Sequence, residues 1–294
     1  MRLFRFIPSE SKEPQLAAIT DDGTGYGLPY ADFLSLVEEA SAQGKTSLAL
    51  IQALLPQCVP ITDPMTELNL LTPVDAPEVW AAGVTYARSR EARNYEATAG
   101  KMDASTFYDK VYDAERPELF LKSTSARTVA PGGNVSLRSD SNWQVPEPEL
   151  AVVIDGKGQI IGFTIGNDMS CRDIEGENPL YLPQAKVWRN SCSFGPAIRL
   201  AETVEDPYNL TIDCRIIRNG EEVFHGTANT GQLKRKLEEL VSFLIRDNEI
   251  FAGTVLLTGT CIVPPNDFTL AEGDRIEMDI TGIGKLINTV HSNS

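Results

Sequence analysis

The sequence predicts an α+β chain that is mainly β, with a small α+β unit over residues 1–72 and a larger β domain over 73–294. Strand-like runs punctuated by "NG" and "DGKG" turns fill most of the second half. One amphipathic helix interrupts them, and two helical periodicities lie near the N-terminus behind a pair of strands. With 42% hydrophobic content, 294 residues are ample for a buried core.

The elements follow in order. "MRLFRFI" and "PQLAAIT" form a hairpin that runs into the Asp/Gly-rich turn "DDGTGYG". From Tyr30 to about Gln43, Phe33, Val37 and Ala40 recur at helical spacing, and "TSLALIQALL" begins a second helix behind Thr46. "LNLLTPVDAPEVW" opens the second unit. Trp80 to Tyr112 is polar, of mixed charge and partly helical, and reads either as a solvated helix and loop or as a lid over residues 86–118 whose charges meet a ligand. The strands "ELFLKS", "ELAVVID", "QIIGFTIGND", "NLTIDCRIIRNG" and "EEVFHGT" then build a mostly antiparallel domain. The helix from Gln232 to Asp247 carries a stripe of Leu233, Leu237, Leu240, Val241 and Leu244. "GTVLLTGT" and "GDRIEMDITGIG" complete the strands, with Pro264 and Pro265 confined to a loop.

Composition narrows the partners. The 26 Lys and Arg against 41 Asp and Glu give a net charge of −15, which opposes extended contact with nucleic acid or anionic lipid. No apolar run is long enough for a signal peptide or a membrane span, so a cytoplasmic location is expected. The five cysteines are scattered without a C-x-x-C pair and are expected to be reduced core residues.

The chemistry centres on "NWQVPEPELAVVID". In an extended chain Glu147 and Glu149 share a face. Treating Gly156 and Lys157 as a two-residue hairpin loop places Glu149 opposite Thr164 and Glu147 opposite Gly166, with Asp168 diagonal to Glu147 on that face. Three carboxylates buried together need a compensating cation. Hard oxygen donors favour Mg²⁺ first, with Mn²⁺ or Ca²⁺ as substitutes, and a 2-oxo acid would chelate the open positions. The plainer alternative is a wet sheet face with Asp168 capping a turn. The acidic run "RDIEGENP", with Asp173, Glu175 and Glu177, offers a rival carboxylate cluster but reads first as a solvated loop.

"PEPELAVVID", "GFTIGNDMSCRD", "AKVW", "GPAI" and "LLTGT", with "FTLAEGDRIEMDITGIGKLINTV", resemble the fumarylacetoacetate hydrolase family over roughly Pro73 to Val290. The resemblance implies mixed β sheets partly rolled around the site, and homodimers or homotetramers. It also implies magnesium on Glu147, Glu149 and Asp168, a catalytic Lys186, and substrate contacts at Thr230 and Thr260. Carbon–carbon hydrolases of the family use a histidine after a "GxxY" block, yet "GVTYARSREARNYE" has none, and the chain's two histidines, His225 and His291, lie elsewhere. "SNWQVPEPEL", "TYARSREAR" and "RPELFLKS" resemble instead a branch that dehydrates 2-keto-3-deoxy sugar acids of pentose catabolism to 2,5-dioxopentanoate.

On that reading the protein is a hydro-lyase. Lys186 stabilises an enolate or carboxylate, or acts as a base if burial depresses its pKa, the alternative being an ion pair with the acidic cluster. Glu118 is a candidate acid or base, and Arg88, Ser89, Arg93 and Lys122 are candidate substrate ligands. The competing readings are a hydrolase or decarboxylase of an acylpyruvate, a 2,4-diketo sugar acid or oxaloacetate, and a sugar-acid binding protein without turnover.

Overall fold

The computed structural model describes residues 1–9, 11–63, 67–98 and 107–292. β1 (Arg2–Ile7), β2 (Gln15–Ile19) and β3 (Gly25–Gly27) form an antiparallel meander. α1 (Phe33–Ala42) starts where the Asp32 side chain accepts a hydrogen bond from Ser35 N, and α2 (Ser47–Leu54) where Thr46 accepts one from Ala49 N. β4 (Pro60–Ile61) and β5 (Asn69–Leu70) follow, then β6 (Glu78–Gly83), α3 (Ala87–Thr98), α4 (Phe107–Asp113) and β7 (Glu118–Thr124). Positions 99–106 of the polar segment lie outside the described residues.

Past β8 (Thr128–Val129), β9 (Asn134–Leu137) and β10 (Gln144–Val145) come the central hairpin of β11 (Pro148–Ile154) and β12 (Ile160–Asp168), and the short β13 (Ser170–Cys171). α5 (Arg172–Glu177) and α6 (Leu182–Lys186) lead into β14 (Cys192–Leu200). β15 (Thr211–Arg218), β16 (Glu221–Asn229), α7 (Leu237–Leu244), β17 (Thr254–Thr260), β18 (Arg275–Ile280) and β19 (Gly284–Ser292) end the chain.

The large sheet runs β4-β3-β2-β1-β14-β12-β11-β17-β6-β7, and a second sheet runs β16-β15-β18-β19-β9. Both are mixed, because β17 and β6, β14 and β8, and β19 and β9 pair in parallel. β11 is buried at every position because both its faces are covered. Leu150, Val152 and Ile154 pack into one core with the second sheet and α7, while Ala151 and Val153 join another with α1 and α2. The continuous apolar run is therefore two alternating faces, and Glu147 and Glu149 extend the second of them.

Three sequence expectations change. The hairpin loop has three residues: Asp155 N donates to Gln159 O at 3.0 Å, and Gly158 takes φ +78°. A further irregularity falls between Val153 and Ile154. Together they slide the register by two, so Glu149 faces Gly166, and Asp168 N donates to Glu147 O at 3.0 Å. An even slip keeps every side chain on its face, so Asp168 lies directly across from Glu147 rather than diagonal to it. Next, α7 begins at Leu237 instead of Gln232, since Lys234 N bonds Thr85 O and the Arg235 guanidinium bonds the carbonyls of Ala114 and Glu115. Finally, "RDIEGE" is helix α5, not a solvated loop.

Candidate metal centre and active site

The site forms at the start of β11, where Pro146 and Pro148 flank Glu147 and favour extended backbone. Oxygens of Glu147, Glu149 and Asp168 lie within 4.8 Å of one another, and all three residues are buried. Glu149 is shaped by the neighbouring strand: β17 bulges opposite it, Gly259 takes φ +99°, and the Gly259 N–H donates to Glu149 Oε2 at 2.6 Å. A Cβ at Gly259 would sit 1.9 Å from Thr85 Oγ1, so this approach needs glycine.

Cations surround the other two carboxylates. Lys186, at the end of α6, reaches Glu147 Oε2 at 2.7 Å, Asp168 Oδ2 at 3.1 Å and Glu175 Oε1 at 3.3 Å, and donates to Ser170 Oγ at 2.6 Å. Arg172 Nη2 holds Glu147 Oε1 at 2.6 Å, while its Nη1 pairs with Glu96 of α3. Lys122 pairs with Asp168 Oδ1 at 2.6 Å and donates to the carbonyls of Met169 and Lys186. Burial opposes the charge on Lys186, but Asp168, Glu147 and Glu175 outweigh it and hold the ammonium well above its usual range. Lys186 thus makes the ion pairs with the acidic cluster that the sequence offered as its alternative role.

The carboxylates separate in the opposite sense. Burial disfavours the Glu147 anion, yet Lys186 and Arg172 hold it well below the carboxylate range. Burial, reinforced by Asp168 and Glu147, pushes Glu149 well above that range. Burial likewise raises Glu118 and carries Glu96 up to about 7 against the pull of Arg172. Among the described residues, six enclosed acids (Glu96, Glu118, Glu147, Glu149, Asp168, Glu175) face four enclosed cations (Arg93, Lys122, Arg172, Lys186), a formal excess of −2 when all are ionised. Hard oxygen donors, that excess and the crowding that raises Glu149 all fit one hard divalent cation held by Glu147, Glu149 and Asp168.

The candidate substrate ligands divide. Ser89, Arg93 and Thr260 line a cavity of ≈10 Å³ beside the three carboxylates, with Phe120 and Lys186. Arg93 pairs with Glu175 at 3.2 Å, and Ser89 Oγ donates to Tyr86 O at 2.8 Å. Glu118 pairs with Gly83 across β6 and β7; its Oε2 is enclosed without a hydrogen-bond partner and would stand 1.9 Å from a Cβ at Gly83. Beyond Arg93, Glu118 and Glu175 opens a larger cavity of ≈490 Å³ that also carries Lys110 and Arg116. Three residues stand apart. Arg88 is exposed and pairs with Glu91, Lys122 is buried behind the carboxylates, and Thr230 accepts a hydrogen bond from Leu210 N in a distant turn. His225 and His291 sit at exposed positions beside Asp213 and Glu272.

Sequence reasoning missed Arg172, Glu175 and Glu96. Their signal was present as opposite charges three apart in "RDIE" and in "RNYE", a spacing that aligns side chains on one helix face. The cysteines are free, and Cys171, Cys192, Cys214 and Cys261 are buried as expected. No described helix is long and apolar enough to cross a membrane.

Residues 89–291 match the family model for the fumarylacetoacetate (FAA) hydrolase C-terminal domain. The chain is 47% identical to a 2-dehydro-3-deoxy-D-arabinonate dehydratase of Saccharolobus solfataricus, over 77% of this chain and 76% of that protein. It is 45% identical to a probable 2-keto-3-deoxyxylonate dehydratase of Haloferax volcanii, over 95% of this chain and 96% of the relative. Among solved structures, 2-keto-3-deoxy-D-arabinonate dehydratase complexed with magnesium and 2,5-dioxopentanoate superposes with a TM-score of 0.82 at 39% identity, covering 100% of this chain and 99% of that one.

Proposed function

The chain belongs to the fumarylacetoacetate hydrolase family, and we propose that it is a hydro-lyase that removes water from 2-keto-3-deoxy-D-arabinonate to give 2,5-dioxopentanoate, with magnesium as cofactor. One observation carries the reading: the Glu147, Glu149 and Asp168 oxygens converge opposite the Lys186 ammonium, with Glu118 Oε2 enclosed nearby and without a hydrogen-bond partner. The relatives' two substrate names converge in the D series. D-xylonate and D-arabinonate differ only at C2 and C3, and both centres vanish in the 2-keto-3-deoxy acid.

Magnesium on Glu147, Glu149 and Asp168 would supply a Lewis acid for the substrate's C1 carboxylate and C2 carbonyl, which acidifies C3. Mn²⁺ and Ca²⁺ are the proposed substitutes. Glu118, kept from ready ionisation by burial, is the carboxylate that takes a C3 proton, and Lys186 faces the negative charge that develops. The C4 hydroxyl then leaves with that proton as water, giving a C3–C4 double bond. Moving a proton from C5 to C3 yields the C4–C5 enol, and its tautomer is the C5 aldehyde. Arg93 and Ser89, on α3, are placed to hold hydroxyls or the carboxylate. A cavity of ≈10 Å³ holds about one water, so α3 acts as the lid that withdraws to admit a five-carbon acid.

Assembly as a homodimer or homotetramer and a cytoplasmic location belong to the same proposal and rest on the family alone. The test is incubation with Mg²⁺ and the 2-keto-3-deoxypentonate, with the products trapped. An aldehyde trapped as 2,5-dioxopentanoate supports the dehydratase. Pyruvate release would instead establish carbon–carbon cleavage, and saturable binding with neither product a non-catalytic binder.

A further inference from the structure

α3 and α5 cross with matched charges. Arg93 and Glu96 lie three apart on α3, and Arg172 and Glu175 lie three apart on α5 in the same order of charge. The contacts run crosswise, Glu96 to Arg172 and Arg93 to Glu175 at 3.2 Å. Gly176 makes the approach possible, since a Cβ there would meet Glu96 O at 3.0 Å and Glu96 Cβ at 3.3 Å. Each α5 member has a second partner on the metal side. Arg172 holds Glu147 Oε1 at 2.6 Å, and Glu175 holds Lys186 at 3.3 Å.

The Arg172 guanidinium is thus one rigid fork with one arm on the lid and the other on a metal ligand. A planar, bidentate cation transmits orientation in a way that a flexible ammonium does not. With α3 docked, Glu96 shares the positive charge of Arg172 and fixes the plane in which it meets Glu147. With α3 withdrawn, Glu147 is the carboxylate that Arg172 still holds by a hydrogen bond, and the charge of Arg172 competes with any cation for it. By linkage, a cation that binds better when α3 is docked must itself favour docking.

We propose that Arg172 is a positioning residue that couples docking of α3 to the readiness of Glu147 for the metal, through the bridge Glu96–Arg172–Glu147. The inference rests on the metal reading of Glu147, Glu149 and Asp168, so its test measures metal binding and lid docking separately.

Magnesium binding is followed by calorimetry on chelator-treated protein, and backbone hydrogen exchange is followed in peptides covering 87–98. In the wild type, saturating Mg²⁺ slows exchange there by about 10-fold, within the usual range of such couplings. In Glu96→Gln and in Arg172→Lys, Mg²⁺ still binds but the slowing in α3 falls to within about 2-fold of none. Peptides from 148–154 serve as the folding control, and unchanged protection there establishes that each variant is intact. Binding in the wild type without slower exchange in α3 overturns the coupling, as does full metal-dependent protection in both variants. Absence of Mg²⁺ binding to the wild type overturns the metal reading, and the coupling with it.

Discussion

At the scale of single residues, the site depends on which charges compensate which. Lys186 touches Glu147, Asp168 and Glu175 from a fully buried position. Replacing it with Met strands those carboxylates, so Lys186→Met should cost about 3–5 kcal/mol in metal-free protein. Mg²⁺ should restore part of that loss, as denaturant melts with and without the ion would show; equal losses in both would disconnect Lys186 from the metal carboxylates. Glu118 gives a second prediction. Burial raises its pKa above the ordinary 4.5, and a base must be ionised, so kcat/KM should fall as pH drops through that raised value. Glu118→Gln should retain Mg²⁺ binding while lowering kcat by about 100-fold or more and removing the acid limb from the residual activity; an intact limb in that variant would assign the proton to another group. Glu147, Glu149 and Asp168 were legible because strand parity and a family motif both point to them, and Lys186 through the family motif alone. Arg172 and Glu175 were not, since a charged helix looks solvated until a partner 76 residues away buries it.

At the scale of elements, the parity of the β11–β12 hairpin was legible while its register was not. "DGKG" signals a turn, but an Asp155 side chain that accepts from both Lys157 N and Gln159 N selects a three-residue loop. That choice depends on side-chain hydrogen bonding that a turn dipeptide does not encode. The three carboxylates still share one face because two single-residue displacements sum to an even slip. The β6–β7 pair is stricter, since Gly83 and Glu118 are directly opposed and the carboxylate occupies the space of a Cβ. Gly83→Ala should therefore turn Glu118 out of place and lower kcat by about 100-fold or more, the scale of one general base. Mg²⁺ affinity, measured by titration, should stay near wild type, because none of the three metal carboxylates lies on β6 or β7. A matching loss of metal affinity would show that the variant disturbs the sheet instead of the base.

At the scale of the whole molecule, the net charge of −15 says little about a pocket that sets four buried cations among its acids. The boundary expected after residue 72 is likewise one that the large sheet runs across. β1 pairs with β14, placing Leu3 opposite Ile198, and β14 pairs in turn with β12, placing Cys192 opposite Asp168. Leu3, Leu16, Phe33 and Ile51 share one core with Ala151, Val153 and Leu257. Because the two parts share that core, the N-terminal segment should unfold with the strands that carry the metal ligands and not ahead of them. Hydrogen exchange across a denaturant series measures this directly. Peptides from 15–19 and from 148–154 should lose protection at the same denaturant concentration, and Mg²⁺ should move both midpoints together, by about 2.7 kcal/mol at a hundredfold excess over Kd. Earlier loss at 15–19, with no response to Mg²⁺ there, would make residues 1–72 an autonomous domain and restrict the metal's stabilising effect to the larger one.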